Sequence, residues 1–220
     1  HVQRDGMVEA GGWLAGVAGS LGKMAGDIAE LASSEIGELR LAGAGGSSTM
    51  PNKQNPNRAE AMLALAQQAA DLIGPLHRAA LQRQERGGVA WFGEWLSLPA
   101  LAVATAAALR HAEALLASIE VQAERMRANL DASNGLPLAE AASFALAAHL
   151  PRAEAQGLVK QACADSLASG RHLFEVLAER SDAPVDWAAL RDPALHLGQA
   201  EAMIDRALAA VRGEDQEETP

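Results

Sequence analysis

The chain has 220 residues, 49% of them hydrophobic and 21% charged, with a formal net charge of −10. That balance is ordinary for a globular chain able to bury a substantial core. Its acidity disfavours a surface that neutralises a phosphate backbone, so nucleic acid is not an expected partner. With Cys163 as its one cysteine, the chain has no intrachain disulfide and no cysteine-based zinc cluster, and the thiol reads as a small buried hydrophobe. No run approaches the roughly 20 uninterrupted apolar residues of a membrane span, and no basic-then-apolar leader opens the chain. The expected location is cytoplasmic, without a membrane partner. The sequence starts at His1 without a methionine and is already helical in pattern, which predicts a piece of a longer protein.

From Met7 the apolar residues recur at Met7, Ala10, Leu14, Val17, Leu21, Met24, Ile28 and Leu31. These alternating steps of three and four predict one long bundle helix with a heptad-like seam. Gly11, Gly12, Gly16, Gly19, Gly22 and Gly26 occupy its other faces. Each glycine costs about 1 kcal/mol against alanine in a free helix, so their number predicts close backbone approach on several sides. Trp13 reads as a core anchor, as do Met24, Met62 and Met203.

Leu41 to Asn57 then forms a connector rich in glycine, serine and proline. Connectors this long between packed helices are functional or disordered, and composition alone leaves a flexible linker as an equal alternative. The hydroxyls of Ser47 and Ser48, the Lys53 ammonium and the Asn55 amide are groups that transfer protons or bind oxyanions. The following helix start offers free N–H groups to an anion. With neither a P-loop Gly-Lys-Ser/Thr nor a strand-borne dinucleotide fingerprint, the expected ligand is a small carboxylate rather than a nucleotide phosphate. Gly43, Gly45 and Gly46 loosen one end, which predicts that residues 43–54 are poorly ordered alone and close over a ligand.

A second helix is expected from near Pro56, burying Met62, Leu65, Ala66, Ala69, Ile73 and Leu76 and kinked at Gly74-Pro75. Glu85 to Gly93 reads as a glycine-rich connector. A third long helix then carries Leu98, Leu101, Thr105, Leu109, Ala112, Leu116 and Ile119, with Pro99 in its first turn. Beyond it, Asn134-Gly135 marks a turn, and 138–149, 152–168 and 199–211 read as shorter helices. The fold class is therefore all-α: a long-helix bundle over 1–120, a small C-terminal helical domain over 121–212, and a disordered acidic tail from 213 to 220. His77, His111, His149, His172 and His196 are scattered, and only His172 with Glu175 forms a same-face pair, so no metal site is expected. The heptad seam and glycine faces predict a homotetramer in which helices of four copies share a central bundle.

The stretch Gly46-Ser47-Ser48-Thr49-Met50-Pro51-Asn52-Lys53-Gln54-Asn55-Pro56 resembles the signature Gly-Ser-Ser-x-Met-Pro-x-Lys-x-Asn-Pro of the fumarase/aspartase superfamily. Gln3-Arg4-Asp5, Glu85-Arg86, Glu94 to Pro99 and Gly135-Leu136 to Glu140 extend the resemblance to about residue 210. Within the superfamily, the wording Ser-Thr-Met-Pro-Asn-Lys-Gln-Asn-Pro and Glu94-Trp95-Leu96-Ser97-Leu98-Pro99 is most similar to the carboxymuconate cycloisomerases, the lactonising branch of protocatechuate breakdown. The adenylosuccinate lyases are the nearest rival, but where they carry a phosphate-binding arginine this chain has Trp95. The resemblance implies that Ser47 transfers a proton next to a carboxylate, that Lys53 and Asn55 stabilise the anion, and that Ser48, Thr49, Met50, Arg4, Arg86 and Trp95 contact a small polycarboxylate substrate. No cofactor or metal is implied. The resemblance also implies a homotetramer with composite sites built from three subunits, a histidine-bearing segment upstream of His1, and no activity for this piece alone.

Overall fold

The computed structural model describes residues 2–42, 45–46, 54–85 and 87–213, with Gly45, Gly46 and Gln54 described by their backbone alone. The expectations of a mobile loop over 43–54 and of a disordered tail fall almost wholly outside them. The chain divides into two units, His1–Arg127 and Ala128–Pro220. Eight α-helices dominate the described residues, and the fold is an all-α long-helix bundle with a C-terminal helical unit.

In the first unit α1 (Asp5–Leu31), α2 (Asn57–Ala79) and α3 (Gly88–Leu116) pack on one another. Contacts from Gly11 to Leu76, Gly22 to Ala66 and Gly26 to Leu63 show that α1 and α2 run antiparallel. The Thr105 hydroxyl donates to the Leu14 carbonyl at 3.2 Å and Gly11 faces Leu101, so α3 runs alongside α1. The face of α1 that disappears into the bundle is Gly11, Ala18, Gly22, Ala25 and Ile28. Of the expected seam, Ile28 is buried, Met7, Leu14, Val17, Leu21, Met24 and Leu31 are half-buried, and Ala10 is exposed. Small residues win the central position because they bring three backbones together. Trp13, expected in the core, is 68% exposed, since it stands beside this stripe on the outer face.

A methyl group at Gly22 would sit 2.6 Å from the Ala66 Cβ. Both atoms are fixed to helix backbones, so neither can rotate away. Gly22→Ala gains about 1 kcal/mol of helix propensity but overpacks a filled contact at a cost of about 1–3 kcal/mol. The expected outcome is a lower thermal midpoint, measured by circular dichroism. An unchanged or raised midpoint would show that the helices part without cost.

On α2, Met62, Ala69 and Leu76 are buried as expected and Leu65, Ala66 and Ile73 are half-buried, while the helix continues through Pro75 to Ala79. α3 begins at Gly88, well before the expected start, so Pro99 is interior. Tertiary packing overrides local propensity here: Gly93 lets α3 close on Ala79, 3.6 Å from its would-be Cβ, and Glu94 is anchored to Arg4. By length and composition α3 is apolar enough to cross a membrane, with a mean hydropathy of 1.4 in its best window, contrary to the reading that no stretch approaches this. Its buried face of Leu101, Ala104, Thr105, Ala108, Ala112 and Leu115 is bundle core. Ile119 lies outside the helix in β4 (Ile119–Val121), which pairs antiparallel with β1 (Leu39–Leu41). These strands are too short to show a period of two. α4 (Ala123–Ala132) follows, with no buried residue.

The second unit contains α5 (Ala139–Ala147), α6 (Arg152–Ser169), α7 (Leu173–Arg180) and α8 (Ala200–Arg212). Its core is Ala142, Leu146, Ala155, Val159, Ala162, Leu173, Phe174, Val176 and Leu177, with half-buried Cys163 and Trp187 against it. Burial pushes the Cys163 thiol up. Met203, expected in the core, is 60% exposed on α8, alongside Ile204, Leu208 and Val211. At the Asn134-Gly135 turn, Gly135 has φ +77° and a Cβ there would lie 2.4 Å from the His172 ring, so only glycine fits.

That imidazole caps α7: its Nδ1 accepts from the Phe174 N–H at 3.1 Å. Burial, then the nearby Arg191 charge, lower the His172 pKa, while Glu175 and Asp131 oppose them. The folded state thus binds a proton less readily than the unfolded chain. The stability contributed is present above the ordinary histidine value near 6.5 and is lost as pH falls below it. Urea midpoints are expected to drop below pH ~6.5, and His172→Asn, a cap that does not titrate, is expected to flatten that slope. The same slope in the variant would assign it to other groups.

Candidate active site

The signature segment is framed at its base. Leu41 is buried among Ile28, Met62 and Leu115, and β1 pairs with β4 through Leu39↔Val121 and Leu41↔Ile119. The chain then enters β2 (Gly45–Gly46), which pairs antiparallel with β3 (Gln54–Asn55) through Gly45↔Asn55 and Gly46↔Gln54. Gly46 and Gln54, which bracket residues 47–53 in the sequence, are thus paired on one ladder. Ser47, Ser48, Thr49, Met50 and Lys53 lie outside the described residues, as does Arg86. Asn55 is half-buried at the base of the loop. α2 starts two residues later without a side-chain cap, and Ala59 and Met62 in its first turns are buried. Its leading N–H groups are therefore available to an anion.

Arg4 and Trp95 stand at the other end of the bundle. Glu94 is only 4% exposed. Both its carboxylate oxygens are taken by Arg4, whose Nε donates to Oε2 at 2.7 Å and whose Nη2 donates to Oε1. The carboxylate raises the Arg4 pKa through that hydrogen bond. Trp95 is 54% exposed, its ring 5.0 Å from Trp91 and 5.7 Å from Phe92. Between the end of α2 and the start of α3 lies a cavity of about 550 Å³ lined by Arg78, Leu81, Arg83, Gly87, Val89 and Gly93, among others. Among the described residues neither arginine side chain has a hydrogen bond or ion pair, so this end carries cationic groups beside an aromatic surface. Glu94 was not singled out from the sequence as a site residue. The available signal was a carboxylate inside an otherwise apolar helical run.

Asn55 and the Arg4–Glu94 pair are far apart. α2 has 23 residues and spans about 35 Å at 1.5 Å per residue. The signature loop joins its start and the Arg4–Glu94 pair lies near its finish. One small substrate cannot touch both Asn55 and Arg4 within one chain.

Known proteins resemble this chain over nearly its whole length. A family model described as lyase matches residues 2–70, and one described as adenylosuccinate lyase C-terminus matches residues 135–207. The chain is 43% identical over 217 residues to a 3-carboxy-cis,cis-muconate cycloisomerase of Pseudomonas aeruginosa, covering 95% of this chain and 47% of that protein. It is 35% identical over 216 residues to a nitrosuccinate lyase of Streptomyces davaonensis, covering 94% and 46%. The crystal structure of the 3-carboxy-cis,cis-muconate lactonizing enzyme from Pseudomonas putida superposes with a TM-score of 0.83 at 40% identity, covering 95% of this chain and 48% of that one. The chain thus spans about half the length of the curated relatives it matches. Shared fold, identity across nearly the whole chain and the framed signature loop lead to one conclusion: the chain belongs to the fumarase/aspartase superfamily of lyases.

Proposed function

We propose that this chain is the C-terminal half of the subunit of a 3-carboxy-cis,cis-muconate cycloisomerase, acting in the cytoplasm without a cofactor. The observation that carries the reading is the 43% identity over 217 residues to the Pseudomonas aeruginosa enzyme of that name. In this reaction a substrate carboxylate oxygen adds to the conjugated double bond and closes a lactone. The electron pair moves onto the carbon next to a second carboxylate, and a proton is delivered there. Ser47 handles that proton. Lys53 and Asn55 stabilise the developing negative charge, and Ser48, Thr49 and Met50 line the substrate. Arg4, Arg86 and Trp95 supply the opposite wall from a different copy of the chain, because about 35 Å of α2 separates the two ends.

The assembly is a homotetramer. Val89, Phe92, Leu96 and Val103 are exposed along one side of α3, and a Cβ added at Gly12, Gly16 or Gly19 of α1 would meet nothing within 4 Å among the described residues. Apolar surface of this extent favours association, and the chain alone is inactive because its sites are incomplete.

A fumarate-releasing lyase is the second reading, favoured by the nitrosuccinate lyase relative. Trp95 argues against nucleotide substrates, since an indole cannot compensate a buried phosphate dianion. Incubating the full gene product with 3-carboxy-cis,cis-muconate, and separately with nitrosuccinate and adenylosuccinate, decides between them. Lactone formation is the expected result. Fumarate release without lactone formation would overturn the assignment.

A further inference from the structure

We infer that Glu94 is a positioning residue that orients the Arg4 guanidinium as a grip for a carboxylate of a flat, unsaturated polycarboxylate; this rests on the functional reading above. Glu94 is 4% exposed on a helix rich in apolar residues, where an ionised carboxylate is stable only if paired and hydrogen-bonded. Arg4 provides that pairing along one edge of its guanidinium, through Nε to Oε2 at 2.7 Å and Nη2 to Oε1. A guanidinium has five N–H donors, so this edge-on contact occupies two and fixes the plane of the rest. Nη1 and the second hydrogen of Nη2 have no partner among the described residues, and the Arg4 side chain keeps 20% of its surface exposed. A group held rigidly on one edge and unsatisfied on the other is preorganised for a bidentate anion.

The surroundings select the anion. Trp95 and Phe92, 54% and 60% exposed, present aromatic surface at the same bundle end. Such surface suits a planar conjugated body rather than a hydrated inorganic ion. Glu94 touches no substrate: it acts through Arg4, whereas a purely structural ion pair would tolerate exchange of its two partners.

The test uses the full gene product, with KM, kcat and thermal midpoint measured on carboxymuconate for the parent, Glu94→Gln, Glu94→Asp, Arg4→Lys and the swap Arg4→Glu/Glu94→Arg. Loss of one oriented charge-assisted pair is expected to raise KM about 10- to 100-fold with kcat changed far less. The swap is expected to recover the thermal midpoint without recovering KM. Glu94→Asp keeps the buried charge but withdraws it by one methylene, so it reports on orientation even where Glu94→Gln does not fold. The inference is overturned by a parental KM in Glu94→Asp and Arg4→Lys, or by a swap that restores KM along with stability. A parent protein without lactonising activity overturns both the inference and the functional reading; a parent that turns over with KM indifferent to these changes overturns the inference alone.

Discussion

Ser47→Ala in the full gene product is expected to lower the turnover rate by about 10²–10⁴-fold, the range for losing one positioned acid or base. Ser47 follows directly on Gly46 of the Gly45–Gly46 and Gln54–Asn55 ladder, and the substitution removes a single hydroxyl. Substrate affinity, thermal midpoint and assembly are therefore expected to stay close to parental. Lys53→Ala differs in kind, because a cation stabilises the bound carboxylate and the developing anion alike, and both KM and kcat are expected to worsen. Steady-state kinetics on the two variants separates these roles. Near-parental turnover in Ser47→Ala together with an inactive Ser48→Ala would transfer proton handling to the neighbouring serine. Indifference to both would place it elsewhere in the full site.

Gly16→Leu is expected to abolish assembly and, with it, activity. Among the described residues a Cβ at Gly16 meets nothing within 4 Å, and the same holds at Gly12 and Gly19. The substitution thus leaves internal packing intact and gains about 1 kcal/mol of helix propensity. A branched side chain projecting from this stripe would nevertheless hold a partner helix away. Light scattering is expected to show a smaller particle than the parent while circular dichroism shows undiminished helix. A Gly16→Leu protein of parental mass and activity would mean that this face is not an interface.

Much of the bundle was legible because its signal is periodic. Met62, Ala69 and Leu76 repeat at seven residues and are buried on α2, and 152–168 and 199–211 fall within a residue or so of α6 and α8. The errors share a cause, which is that a pattern read along one helix cannot say which neighbour decides. The large apolar seam of α1 is mostly half-buried because the stripe of Gly11, Ala18, Gly22 and Ala25 allows closer backbone contact with α2 and α3. α3 starts at Gly88 despite three nearby glycines and Pro99, because Gly93 packs on Ala79 and Glu94 pairs with Arg4 across a separation of 90 residues. α7 was missed because an eight-residue helix capped by a histidine carries no familiar start signal. Trp13 and Met203 were misplaced because hydrophobicity alone does not distinguish a core position from an exposed one.

For the candidate site, the sequence named residues but not their places along the bundle. The signature named Ser47, Ser48, Thr49, Met50, Lys53 and Asn55, and neighbouring segments named Arg4, Arg86 and Trp95, all as contacts of one substrate. Sequence order carries no information about the two ends of a bundle. The 23 residues of α2 do, since at 1.5 Å per residue they hold the ends about 35 Å apart.

Complementation tests that division most directly. Ser47→Ala and Arg4→Ala full-length proteins are each prepared, then unfolded and reassembled together, and lactone formation is measured with carboxymuconate well below the parental KM. In mixed assemblies some sites combine an intact loop from one copy with an intact Arg4 from another. The account predicts activity clearly above the sum of the two variants reassembled separately. A mixture no more active than that sum would mean that the loop and Arg4 serve the same site from the same chain, contradicting the composite site.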